Sequence, residues 1–172
     1  MFDHLLLIQP EEESIILQTA QGNDIPNDIA PEPDQGAVAA YGEIRAQHLF
    51  WIDRRPPCGR YNCHGLVFAN RRTSIREDGH VHTILSDDGY RTLHPGEMPQ
   101  PGDIGLYRGA GVGIVHSCLV VESPPTNMLI QVADAARVIS KWCDWGGEAV
   151  HVGSDVHFPG FQCGLEFWTD RP

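Results

Sequence analysis

Two prolines and a glycine, Pro56, Pro57 and Gly59, interrupt any helix running on from residue 52, so the next helix has to start afresh at Cys63. Asn62 supplies that start, because a side-chain oxygen at the N-cap accepts a hydrogen bond from a free first-turn amide. Leu66, Val67 and Ala69 form the apolar side of the new helix. Gly65 is a poor helix former one turn in, and its presence predicts a close approach to another backbone. Further along, residues 113–121 (GIVHSCLVV) read as a strand carrying one histidine, His116. A cysteine on a helix start and a histidine on a strand are the two halves of a thiolate–imidazolium pair.

The rest of the pattern is helix early and strand late. Residues 5–8 and 15–17 are short strands or helical turns, and residues 21–36 are a loop rich in Gly, Asn, Asp and Pro. Residues 37–52 have a helical period, with Val38, Tyr41, Ile44, His48 and Leu49 on one face. Residues 81–85 are either a strand or a short helix. From residue 90 onward strands are predicted at 104–107, 114–121, 128–132, 137–142 and 164–168, with turns at Pro101-Gly102-Asp103, at 109–113 and at Gly146-Gly147. This order predicts an α+β fold, with an acidic segment over residues 1–36 and one domain over 37–172.

Charge excludes some functions. The formal net charge is −11, which argues against nucleic acid and anionic membranes as partners. Residues 1–42 hold no Lys or Arg, whereas Arg54, Arg55, Arg60, Arg71, Arg72 and Arg76 flank Cys63. Most of these are expected to be solvated, and some to favour a thiolate or hold a substrate carboxylate. Residues 1–36 are then a solvated tail adding one strand to a sheet edge, or a segment restraining the arginine-flanked cleft. The apolar run at 5–8 is short, has no basic flank and ends at Pro10, so neither a signal peptide nor a membrane span is expected. A cytoplasmic location follows, unless a dedicated secretion system exports the chain.

The cysteines are Cys58, Cys63, Cys118, Cys143 and Cys163, an odd set without a CxxC pair, and reduced thiols are expected. Cys63 has the helix-start context that favours the anion, and His116 is its best proton partner. The amide of Cys63 would point at a developing oxyanion. Cys58, Cys118, Cys143 and Cys163 read as inert thiols. No cofactor is required. A competing metal-binding reading rests on nine histidines, among them His80 and His82, which a strand would place on one side.

Three blocks together resemble the NlpC-type cysteine peptidases, the papain-fold cell-wall endopeptidases. They are Asn62-Cys63-His64-Gly65-Leu66-Val67, Pro101-Gly102-Asp103-Ile104-Gly105-Leu106-Tyr107, and His116-Ser117-Cys118-Leu119-Val120-Val121. They match the family's D-C-S-G-L-V, P-G-D-L and H-V-G-I-Y segments in order and spacing, over about residues 45–150. The resemblance implies a papain-like fold in which the Cys63 helix packs on an antiparallel sheet bearing His116. It implies a hydrolase or amidase acting through a Cys63 acyl-enzyme, with His116 as base and then acid. Asn62 and His64 replace the family's aspartate and serine. The family's oxyanion-binding aromatic residue falls at Trp51, and its third polar group, which orients the imidazole, at Ser140, with Glu148 and His151 as alternatives.

The implied substrates are a peptidoglycan-type stem peptide, reached by an exported or defence-type bacterial toxin, or a cytoplasmic peptide. A protein partner or inhibitor is a further expectation. The alternative is a binding module on the same fold with catalysis lost.

Overall fold

The computed structural model describes residues 14–125, 133–156 and 162–172. In chain order its elements are α1 (Gln35–Ala46), β1 (Ile52–Arg55), α2 (Cys63–Phe68), α3 (Asp78–Asp87), β2 (Arg91–Thr92), β3 (Ile104–Gly109), β4 (Gly113–Glu122), a 3₁₀ turn at Ala133–Ala135, β5 (Arg137–Lys141), β6 (Glu148–Val152) and β7 (Cys163–Thr169). The strands form one antiparallel sheet in the order β1-β6-β5-β4-β3-β7-β2. The architecture is therefore α+β, helices early and a sheet built mainly from the second half. Among the described residues no helix is long and apolar enough to cross a membrane.

Pairing fixes which side chains share a face, because alternate residues of a strand point to opposite sides. Cys118 lies opposite Ser140, and Ser140 opposite Ala149. His116, Cys118, Val120, Val138, Ser140 and His151 therefore share one face. It carries a core of Tyr41, Trp51, Tyr107, Val138, Trp142 and Phe167. Ser117, Leu119, Ile139, Lys141 and Glu148 share the other. There α2 and α3 cover Ile104, Leu106 and Ile114, together with Ile75, Val81 and Leu85. The register of β3 and β4 slips beside His116: Tyr107 pairs with His116, but Arg108 pairs with Ile114, leaving Val115 as the extra residue. Such a bulge turns Ile114 into the α-covered core.

Helix α2 starts at Cys63 with Asn62 as its cap. Asn62 does more than close the helix. Its Oδ1 accepts from the amides of Gly65 (2.9 Å) and Ile75 (3.2 Å), and its Nδ2 donates to the Ile75 carbonyl (2.7 Å). Asn62→Ala is expected to cost roughly 2–4 kcal/mol, one cap plus buried backbone groups left unpaired. Urea unfolding checks this, and a loss below about 1 kcal/mol would contradict it.

Several expectations need correction. Residues 81–85, open in sequence between strand and short helix, belong to α3, so the strand that would pair His80 with His82 is absent. On a helix His80 and His82 lie about 200° apart around the axis, so they do not share a side as a ligand pair. The first helix begins earlier and ends at Ala46, leaving Leu49 83% exposed. Residues 15–17 form no strand, and a single bridge joins Gln18 to Asp24. Strands β1 and β6 were not anticipated, and residues 5–8 and 128–132 lie outside the described residues.

Residues 14–34 are no solvated tail. Ile25 is buried beside Ile75 and Val81, and Thr19 and Asn23 both donate to Asp87 at the end of α3 (2.7 Å each). Asp28 pairs with Arg76 (2.7 Å), which also holds Asp144 (2.7 Å).

Candidate active site around Cys63 and His116

Cys63 is the first residue of α2, and its side chain is turned toward β4. The backbone amides of Ser117 and His64 lie close enough to its sulfur to favour the thiolate. Ser117 lies just past the last pair between β4 and β5, Cys118 with Ser140. His116 is the residue before Ser117. Cys63 thus approaches β4 at Ser117 from the α-covered side, while the His116 imidazole projects from the other face. The ring neighbours of His116 include Tyr107 (centroids 5.3 Å apart) and Trp142 (6.1 Å).

Gly65 lets α2 sit this close. A Cβ at that position would overlap the carbonyl of Thr73, so the helix lies directly on the 73–75 segment. The Gly65 carbonyl accepts from the amides of Ala69 and Arg71, closing the helix after two turns. The preceding residue, His64, is buried, and its Nδ1 lies 2.9 Å from Ser117 Oγ. Cys63, His64 and Ser117 therefore form one buried cluster at the α2–β4 contact, and His116, also buried, lies on the other face of β4 within electrostatic reach of His64.

The electrostatics differ from a preformed ion pair. Burial pushes the Cys63 thiol up to about 11, more than the Ser117 and His64 amides bring it down. Burial, with smaller contributions from His151 and His64, pushes His116 down to about 3. A helix start favours a thiolate, but Cys63 is only 6% exposed, and losing water outweighs that preference. The resting pair is therefore a neutral thiol and a neutral imidazole at pH 7.

Burial also lowers His64, to about 4, and lowers His151. These histidines set an acid limit on the fold. In the unfolded chain a histidine takes its proton near pH 6.5, while the folded ones resist until much lower. Below pH 6.5 the unfolded state therefore binds more protons, and stability falls as pH falls. The midpoint of thermal unfolding is expected to drop steadily from about pH 7 to about pH 5.5, above the range where carboxylates protonate. A flat profile across that window would contradict the neutral buried imidazoles.

Ser140 does not reach the ring of His116. Its Oγ lies 2.7 Å from Nε2 of His151, whose Nδ1 lies 2.8 Å from the Val152 carbonyl. A backbone carbonyl only accepts, so His151 carries its proton on Nδ1 and takes the Ser140 hydroxyl proton on Nε2. Of the three candidates for a third polar group, His151 and Ser140 share the face of His116, and His151 acts on it electrostatically. Glu148 lies on the opposite face, held by the hydroxyl of Tyr61 and by Arg71 (2.7 Å). Trp51 is stacked between His48 and His151, and its Nε1 donates to Asp155 (2.9 Å). That N–H is spent, so Trp51 is not placed to donate to an oxyanion.

Lys141 was missed. It is the sole lysine of the chain and fully buried. Its Nζ donates to the carbonyls of Cys143 (3.0 Å), Asp144 (3.2 Å) and Gly146 (2.9 Å), and sits 5.3 Å above the Tyr61 ring. Burial lowers its pKa, opposed by Cys58, Asp144, Cys63 and Cys143, so it lies within electrostatic reach of the candidate sulfur. The available signal was its place two residues after Ile139, on the same face of β5. Among the described residues no cluster of three His, Cys, Asp or Glu side chains could hold a metal ion.

Neither protein-family models, nor curated protein sequences, nor solved structures yield a match to this chain.

Proposed function

We propose that the chain is a cysteine hydrolase on a papain-like fold of the NlpC type, cleaving or transferring at an amide bond of a peptide or peptidoglycan-type substrate. The observation that carries this reading is the position of one sulfur. Cys63 opens α2 and lies beside Ser117, the residue that follows His116 in β4.

In this reading the neutral His116 imidazole accepts the thiol proton as the sulfur attacks the amide carbon. A carbon–sulfur bond forms, the carbon–nitrogen bond breaks, and the His116 proton leaves on the amine. Water, deprotonated by the same imidazole, then hydrolyses the thioester and restores the thiol. Because the pair starts neutral, proton transfer accompanies attack rather than preceding it. Substrate entry has to expose both groups, since both are buried at rest.

A panel of short peptide amides and stem peptides, incubated with the wild-type chain and with His116→Ala, tests the proposal. New amine released by the wild type and not by the variant supports it. Equal release by both, or no release from any member, overturns it.

A second reading is favoured by the raised thiol and by the Trp51 N–H already given to Asp155. In that reading the chain is a binding module on the same fold, catalytically inactive. Partner capture that survives Cys63→Ala, with no turnover by either protein, distinguishes it.

A further inference from the structure

Four arginines converge on one side of the molecule. Arg54 and Arg55 end β1, Arg60 lies in the loop that follows, and Arg71 comes just after α2. A cavity of about 520 Å³ opens between them, walled by Arg55, Cys58, Arg60, Tyr61 and Arg71, with Glu32 as its carboxylate. An adjoining hollow of about 480 Å³ shares Arg55 and Arg71 and adds Arg54 and Glu148.

Two of these cations are uncommitted, while Arg71 is held by Glu148. Arg54 and Arg60 make no ion pair among the described residues. Arg55 is 61% exposed and stands 3.8 Å from Glu148, which Tyr61 and Arg71 already satisfy. Glu32 accepts from the Gly59 amide at 3.3 Å. Four guanidinium groups therefore face two carboxylates, in a chain whose acids outnumber its bases by eleven overall.

The backbone is bent to build this wall. Asn70 and Arg71 have φ of 48° and 65°. A left-handed conformation is unfavourable for a long side chain and is kept where the surroundings hold it. Here it brings Arg71 back over Glu148 and beside the cavity.

We propose that this cavity binds a small ligand carrying two or more carboxylate or phosphate groups. The guanidinium fork matches either oxyanion in two parallel hydrogen bonds, and several forks around one hollow select a multiply charged ligand over a singly charged one. The volume suits a metabolite-sized molecule. Cys63 does not line the cavity, so the proposal stands apart from the thiol chemistry.

Calorimetric titration of the full chain with citrate, and separately with inorganic pyrophosphate, tests it at constant ionic strength, with acetate as the singly charged control. Saturable binding of citrate or pyrophosphate, tighter than acetate, is expected. Binding should weaken at least about tenfold in Arg55→Ala/Arg60→Ala and remain unchanged in Cys63→Ala. Preference for citrate assigns the carboxylate class and preference for pyrophosphate the phosphate class. Arg60→Gln alone, at an exposed side chain without an ion pair among the described residues, serves if the double variant fails to fold. No saturable binding of either probe, or equal affinity in the folded variant, would overturn the proposal.

Discussion

Cys63→Ala is expected to lower kcat/KM on any amide the wild-type chain cleaves by at least about 10³-fold, or roughly 4 kcal/mol of transition-state stabilisation. The size follows from the role. A nucleophile makes its bond only as the reaction proceeds, so its removal takes away covalent catalysis and leaves substrate binding. Stability should change far less. The side chain is small, and the Ser117 and His64 amides it leaves behind faced a sulfur, a weak acceptor. A cost of about 1 kcal/mol is expected, read as a small drop in the unfolding midpoint. Cys118→Ala supplies the control. Cys118 is buried on the His116 face, its thiol pushed up to about 12 by burial, and it lies against Gly105. Its loss should affect stability alone. Equal loss of turnover in the two variants would assign the effect to folding rather than to chemistry.

Gly65→Ala is expected to be among the most damaging single substitutions in the chain. The added methyl group would overlap the Thr73 carbonyl oxygen, a backbone atom that cannot rotate aside. To relieve the overlap, α2 must move off the 73–75 segment, and three contacts stand in the way. Asn62 ties the helix start to Ile75, the Arg71 amide bonds the Gly65 carbonyl, and His64 meets Ser117. The cost should reach about 4 kcal/mol or more, enough to unfold a domain of ordinary stability. Gly42 gives the comparison, because it lies inside α1 with open space where its Cβ would stand. Gly42→Ala should stabilise by up to about 1 kcal/mol, since alanine is the better helix former. Similar unfolding midpoints for the two variants would contradict the close approach of α2 to its neighbour.

The local parts of this structure were legible because local chemistry decides them. Asn62 caps because its side chain can accept an amide proton, and Gly65 signals a near backbone because nothing larger fits. The apolar, β-branched character of residues 113–121 placed β4, and the glycine and proline turns bounded its neighbours. Distant partners were not legible. Strands β1 and β6 hold one another at the edge of the sheet, yet Asp53, Arg54 and Arg55 look like loop, and Glu148 is buried by pairing with residues far away in sequence. Val81, Ile84 and Leu85 settle into a helix only because the α-covered face of the sheet accepts them.

The candidate site divides the same way. Residue types pointed to Cys63 and His116, and the fold sets Cys63 beside Ser117, next to His116 along β4. The ionisation state was not legible, because a helix start predicts a thiolate and only burial reverses it. Ser140 was read by position as the partner of an imidazole. It does bond an imidazole, that of His151, because β6 lies next to β5 and brings His151 within reach. The role of Lys141 rests wholly on three carbonyls contributed by the 143–146 turn.

The most direct measurement maps the acyl group. The chain is mixed briefly with an activated ester such as p-nitrophenyl acetate, quenched in acid, and its peptides are weighed by mass spectrometry. The background is low, since the sole lysine is fully buried. The account predicts an acyl group on the peptide holding Cys63, formed much more slowly in His116→Ala. Acylation confined to Cys58, Cys143 or Cys163, or formation on Cys63 at an undiminished rate in His116→Ala, would contradict it.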